Sequence, residues 1–256
     1  MTIRKGWLAL ALLILVLFTL CATAPARVLS HVLPPSSIVL QGLSGSVWRG
    51  QAAGCLIQVP GGFMQLGHTR WTVSPLSLLL LAPRVSVSSR WGEQLLRADL
   101  IYSGTNHLRA SAVEARINAG LLQSFLPVTL DGTLVISMDS VEVKRGIQLV
   151  MDGRLVWENA RWLSPDGAVR LGSYAVNSRQ VDRDIQADIL TLTGPLLADG
   201  SITLSHAAET PRYELTVDLT SEGSMDPQLQ QALSLMASPT SAGYRLVLQG
   251  QLPPAG

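Results

Sequence analysis

The sequence is short of charge, of lysine and of cysteine. Charged residues make up 14% of its 256 positions, against ~25% in ordinary soluble domains. The net charge of +1 leaves no bulk electrostatic case for a nucleic-acid partner. Lys5 and Lys144 are the only lysines, and neither stands in the Gly-Lys-Ser/Thr setting that a phosphate loop needs. The two cysteines are Cys21 and Cys55. Cys21 falls in an apolar run, so a disulfide framework and a Cys-x-x-Cys motif are both excluded. Cys55 reads as a small core residue or an unpaired thiol. His31, His68, His107 and His206 are scattered, with no His or Cys neighbour at metal-ligand spacing.

Catalytic motifs are missing as well. There is no Gly-x-Gly-x-x-Gly and no His-Glu-x-x-His. Gly42-Leu43-Ser44-Gly45-Ser46 falls one residue short of the Gly-x-Ser-x-Gly nucleophile elbow, because Ser46 stands where the last glycine belongs. It reads as a turn before a strand. Asp182 and Asp184 sit in a polar stretch, 177–188, which reads as a solvated loop or edge, not an acid/base pair. The expectation is therefore a non-enzyme with no catalytic, cofactor-binding or metal-binding residues and no cofactor.

Acidic residues are absent from the first 92 positions. Seven basic residues precede Glu93: Arg4, Lys5, Arg27, Arg49, Arg70, Arg84 and Arg90. From Glu93 onward there are 18 acidic and 12 basic residues. An N-terminal part without carboxylates suits a position near anionic lipid headgroups.

What is present at the N-terminus sets the expected compartment. Arg4 and Lys5 precede Trp7 to Ala22, 16 residues without a charge. Extended to Ala26, the run is about 30 Å of helix, enough to cross a bilayer. The leading positive charges keep that end in the cytoplasm. Ala22-Thr23-Ala24 resembles a cleavage site, but Pro25 follows it, so an uncleaved signal anchor is expected. The layout is then a cytoplasmic segment 1–6, a transmembrane anchor 7–26 that contacts the lipid bilayer, and an exported domain 27–256. One cysteine in that domain fits a bacterial periplasm.

Period-two alternation dominates the exported part and points to strands with one buried face. It is visible in Val85–Val87, Leu96–Tyr102, Leu134–Met138, Val141–Met151, Ile202–Leu204, Tyr213–Leu219 and Tyr244–Leu248. One apolar and one polar face imply antiparallel strands with the core on a single side. Asp131-Gly132, Asp152-Gly153 and Asp199-Gly200 read as tight hairpin turns. Two short packing helices are expected, over 118–126 before Pro127 and over 227–237 behind Asp226, with Leu229, Ala232, Leu233 and Met236 facing the sheet. Residues 76–82, LSLLLLA, are too few to span a membrane. They read as a buried strand or a segment dipping toward the bilayer. Trp48, Trp71, Trp157 and Trp162 stand beside glycines or a proline and read as core anchors.

Several of these phrases form an ordered series. Leu43-Ser-Gly-Ser-Val-Trp-Arg-Gly-Gln-Ala52 precedes Trp71-Thr-Val-Ser-Pro-Leu-Ser-Leu78. Asp152-Gly-Arg-Leu-Val-Trp157, Leu171-Gly-Ser-Tyr174 and the closing Ala242-Gly-Tyr-Arg-Leu-Val-Leu-Gln-Gly-Gln-Leu252 follow. With the single basic-flanked anchor, the chain resembles the type II secretion system protein N family (GspN). That resemblance implies a single-pass protein of a Gram-negative inner membrane. It also implies a periplasmic, mainly β domain and a part in exporting folded proteins across the outer membrane, by contact with other secretion components. The family is similar to AsmA-like proteins, whose long, curved, largely antiparallel sheets carry an apolar groove. A lipid-binding or lipid-transfer role, with acyl chains as partners, is the alternative this implies. An open groove lined by Leu, Val and Ile favours it, and a filled or closed sheet favours the assembly role.

Overall fold

The structure, a computed structural model, describes residues 22–251 together with Thr19, apart from positions 33, 35–36, 60–61, 76, 78–81, 104–106, 125–128, 145–146, 165, 183 and 206–211. The expected anchor, 7–26, lies outside the described residues except for Thr19 and 22–26. Among the described residues no helix is long and apolar enough to cross a membrane.

The first of the described elements is a helical turn, Ala26–Val28, that runs into α1, Leu29–Val32. Five short strands follow: β1 Ile38–Gln41, β2 Ser44–Gly45, β3 Arg49–Ala52, β4 Gly54–Val59 and β5 Gly62–Gln65. Next come β6 His68–Val73, β7 Arg84–Trp91, β8 Gln94–Tyr102 and β9 His107–Asn118, then a 3₁₀ turn, Ala119–Ser124. The longest strands are β10 Leu130–Lys144, β11 Ile147–Ser164 and β12 Gly167–Val181. They lead to β13 Asp184–Thr193, β14 Leu196–Ser205 and β15 Arg212–Ser221. The chain closes with α2 Pro227–Met236, β16 Ser238–Pro239 and β17 Gly243–Gln251.

Strands β1, β4 and β5 make a small separate sheet, and the other 14 form one sheet. From β6 to β15 every strand pairs antiparallel with the next in sequence, so the large sheet is a meander. At ~3.3 Å per residue, the 18 residues of β11 extend about 60 Å. The mainly β, antiparallel expectation holds.

The turns are not where Asp-Gly suggested. Asp131-Gly132, Asp152-Gly153 and Asp199-Gly200 all lie inside strands. The glycines serve close approach instead of reversal. A Cβ on Gly153 would stand 2.6 Å from Met138 Cα, and one on Gly200 2.8 Å from Val217 Cα. Chain reversal is carried elsewhere, at Gly92 (φ +56°), at Asp182 (φ +55°) and at Gly194 (φ +128°). The polar stretch 177–188 is thus a hairpin of two paired inner strands with its turn at Asp182, not a loop or an edge.

The helices need smaller corrections. The first is a 3₁₀ turn over Ala119–Ser124, and 125–128 lie outside the described residues. The second is as expected, with the Asp226 side chain accepting from the Gln228 and Leu229 amides. Leu229 and Leu233 pack against the sheet, but Met236 is turned out to solvent and 62% exposed. Of 76–82, only Ser77 and Ala82 are described. Ser77 sits in a helical turn, where its hydroxyl donates to Ser74 O and accepts from Arg84 N.

Candidate functional site

Register carries one apolar stripe across the large sheet. Trp71 opposes Val87, and Val87 opposes Ala98. Leu96 opposes Ala115, which opposes Ile136, which opposes Leu155, which opposes Val176. Val176 opposes Ile189, and Ile189 meets Gly200 and then Val217 and Leu246. The segments Val85–Val87, Leu96–Tyr102, Leu134–Met138, Ile202–Leu204, Tyr213–Leu219 and Tyr244–Leu248 therefore fall on the same side of one sheet. The single parity expected over Val141–Met151 is instead broken by a register shift after Glu142, where Val143 opposes Gln148.

A sheet with one apolar face normally buries it against a second layer. Here the cover is partial. At one end Ala26 and Leu29 pack with Ala52, Trp71, Val73, Val85 and Val87. At the other, Leu229 and Leu233 of α2 close over Leu171, Tyr174, Leu196, Val217 and Leu219. Between these covers Leu96, Leu100, Val113, Ile117, Ile136 and Leu155 are half-buried, while Ala115, Leu134 and Met138 on the same side are buried. Among the described residues no large side chain is below 2% exposed. Tyr102 and Leu108, paired on β8 and β9 at the same side, are 45% and 39% exposed.

The tryptophans hold the covered ends. Trp71 lies over Gly50, its cross-strand partner, and donates from Nε1 to Val47 O at 3.0 Å. Trp48 is half-buried, and its carbonyl accepts from Val73 N at 2.7 Å. Trp157 donates to Asp131 O at 3.2 Å and meets Tyr174 with ring centroids 6.1 Å apart. The Tyr174 hydroxyl donates to Leu196 O at 2.9 Å, and burial pushes that phenol well up.

The opposite face is polar and carries cross-strand ion pairs. Arg116 meets Glu158 at 3.0 Å, Arg161 meets Asp131 at 2.7 Å, Arg179 meets Asp188 at 2.7 Å and Arg245 meets Asp218 at 2.7 Å. The hydrogen bonds from Arg245 hold the Asp218 carboxyl below its usual range. Glu142 takes both His107 and Arg109. Burial pushes its carboxyl up, but the hydrogen bonds from His107 and Arg109 outweigh that and leave it below the usual range. Cys55 is buried on β4, and burial raises its thiol against an opposing hydrogen bond with Thr69. Ser44 is exposed on β2, and Ser46 is half-buried just after it, its hydroxyl donating to Arg49 O and accepting from Arg49 N. Among the described residues no three His, Cys, Asp or Glu side chains gather as a metal-holding group. What the structure brings together is a partly covered apolar face backed by a charged one.

Residues 36–247 match the family model described as type II secretion system (T2SS), protein N. The chain belongs to that family. The type II secretion system protein N of Vibrio cholerae serotype O1 is 27% identical over 241 residues, covering 89% of this chain and 91% of the relative. The protein of the same name from Aeromonas hydrophila is 24% identical over 97% of this chain and 99% of its own length. That from Pectobacterium carotovorum subsp. carotovorum is 21% identical, over 91% and 92%. No solved structure matches. The family match spans β1 to β16 and most of β17, so it takes in nearly all of the large sheet and the cover formed by α2, while Ala26 and Leu29 of the other cover precede it.

Proposed function

We propose that this type II secretion component acts at the periplasmic side of the inner membrane, by contact with other secretion proteins and not by catalysis. The observation that carries this reading is the family match over 36–247. Two features support it. An apolar run behind Arg4 and Lys5 precedes the matched region. The sheet also offers extended surfaces for contact: a polar face ribbed by ion pairs, and a last strand whose Val247 and Leu248 stay exposed. The test is purification of the full-length protein from detergent-solubilised inner membrane, with mass spectrometry of what accompanies it. Other secretion-system subunits in stoichiometric amounts are expected. A chain recovered alone, after cross-linking in intact cells, contradicts the reading.

A second reading is favoured by one observation. The apolar face carries half-buried leucine, valine and isoleucine side chains between its two covers, as the wall of an acyl-chain groove would. Lipid extraction from the purified protein separates the two. Bound lipid that is lost when Leu96→Glu and Ile136→Glu are introduced supports lipid handling. Secretion that survives the same substitutions sets that groove apart from the secretion role.

A further inference from the structure

The arginines that precede the first carboxylate do not scatter when the chain folds. Strands β3, β6, β7 and β8 are neighbours, and their polar sides carry Arg49, Arg70, Arg84, Arg90 and Arg97, with His68 beside them. Register sets the rows. Arg70 and Arg97 flank Ser88, and His68 stands opposite Arg90. Arg49 opposes Thr72, which opposes Ser86. The five arginines are all exposed. The carboxylates facing the group are Asp99, opposite Ser86, and Glu114 on β9. Glu114 reaches Arg97 at 3.9 Å with both side chains more than half exposed. Glu93 sits in the turn beyond. Among the described residues Arg49, Arg70, Arg84 and Arg90 make no ion pair; on the later strands Arg109, Arg116, Arg161, Arg179 and Arg245 each have one, and Arg154, Arg170 and Arg212 do not. His68, Arg70, Ser88, Arg90 and Arg97 line a shallow hollow of about 470 Å³.

The chain enters the sheet at the edge nearest this patch, with Ala26 packed on the opposite, apolar side. Val47 N donates to Ala24 O at 2.9 Å, Pro25 bridges to Ser46, and Ala26 is buried against Ala52 and Trp71. The exit of the apolar run is thus fixed to the β2–β3 edge of the sheet. With strands ~4.8 Å apart, β8 is within about 20 Å of β2. A bilayer that holds residues 7–26 would meet the sheet at the edge from which the arginine-bearing strands follow.

We propose that this arginine face binds the phosphate groups of anionic phospholipid headgroups in the membrane that anchors the chain, and so fixes how the sheet stands on the bilayer. The inference rests on the anchored reading. Guanidinium forks suit phosphate oxygens, and the hydroxyls of Ser86, Ser88 and Thr72 add donors between them. Basic residues near an anionic surface each strengthen binding by about fivefold.

The test uses the full-length chain in nanodiscs of phosphatidylcholine, with or without phosphatidylglycerol, read by hydrogen exchange. Expected is slower exchange over 68–73 and 84–97 in the anionic discs only. High salt should abolish it, and so should the triple variant Arg70→Gln, Arg90→Gln, Arg97→Gln. The double variant Arg179→Gln, Arg245→Gln should leave it unchanged. Equal exchange in the two discs overturns the proposal. So does equal protection by inorganic phosphate added to neutral discs, which makes the source free phosphate. Failure of the chain to enter discs is a failure of the anchor. Co-flotation with phosphatidylglycerol vesicles then tests the patch alone, with binding lost in the triple variant expected and no binding by the parent chain overturning it.

Discussion

Trp71 shows how a single residue ties the N-terminal end together. Its ring occupies the space that a side chain on Gly50 would fill, its Nε1 holds Val47, and it is 8% exposed. Trp71→Ala is expected to cost ~3–5 kcal/mol, the range for a buried aromatic, read as a lowered midpoint in denaturant melts. Unchanged stability with lost secretion makes it a contact residue instead. Glu142 gives a pH prediction. Its carboxyl is held below the ordinary range of about 4.3, so its contribution is present above that range and is lost as pH falls through the depressed value. Thermal melts of Glu142→Gln should lie below the parent at pH 7 and converge with it in acid. A constant gap at all pH values contradicts this. The tryptophans were legible in the sequence because each stands beside a glycine or proline. The Glu142 cluster was not, since its partners lie 33 and 35 positions away.

At the scale of elements, legibility followed the bulges. Strands with unbroken alternation, such as β15 and β17, were read directly. The reading missed β9 because Ala112 (φ +48°) inserts a residue between Ala110 and Val113 and reverses the parity. It missed β12 for a similar reason, an irregular register at Ser173 and Tyr174. In β13 the outward Leu190 and Leu192, 37% and 43% exposed, blur a real alternation of Ile185, Ala187 and Ile189. Asp-Gly misled because glycine serves a close strand approach as well as it serves a turn. Bulges bend and twist the strands that carry them, so the same residues that hid the strands shape the sheet. The cap of α2 was legible from Asp226-Pro227. Asp226→Ala removes the bonds to Gln228 N and Leu229 N and is expected to lower stability by about 1 kcal/mol. The same measurement on Ser224→Ala, outside the helix, should show no change. Equal effects of the two contradict the capping role.

At the scale of the molecule, a 14-stranded sheet, a meander from β6 to β15, presents an apolar face that its two covers close only in part. The one-sided core was legible from periodicity, but the openness was not, because alternation says which side is apolar and not what lies over it. Family membership supplies the machine, and the proposed role of the long sheet is to make contacts within it. The most direct test of that account is a deletion strain in which a type II secreted enzyme is assayed separately in medium and periplasm. The account predicts folded, active enzyme retained in the periplasm and its release restored by the full-length chain. Unchanged release into the medium, with an altered outer-membrane lipid barrier, contradicts it.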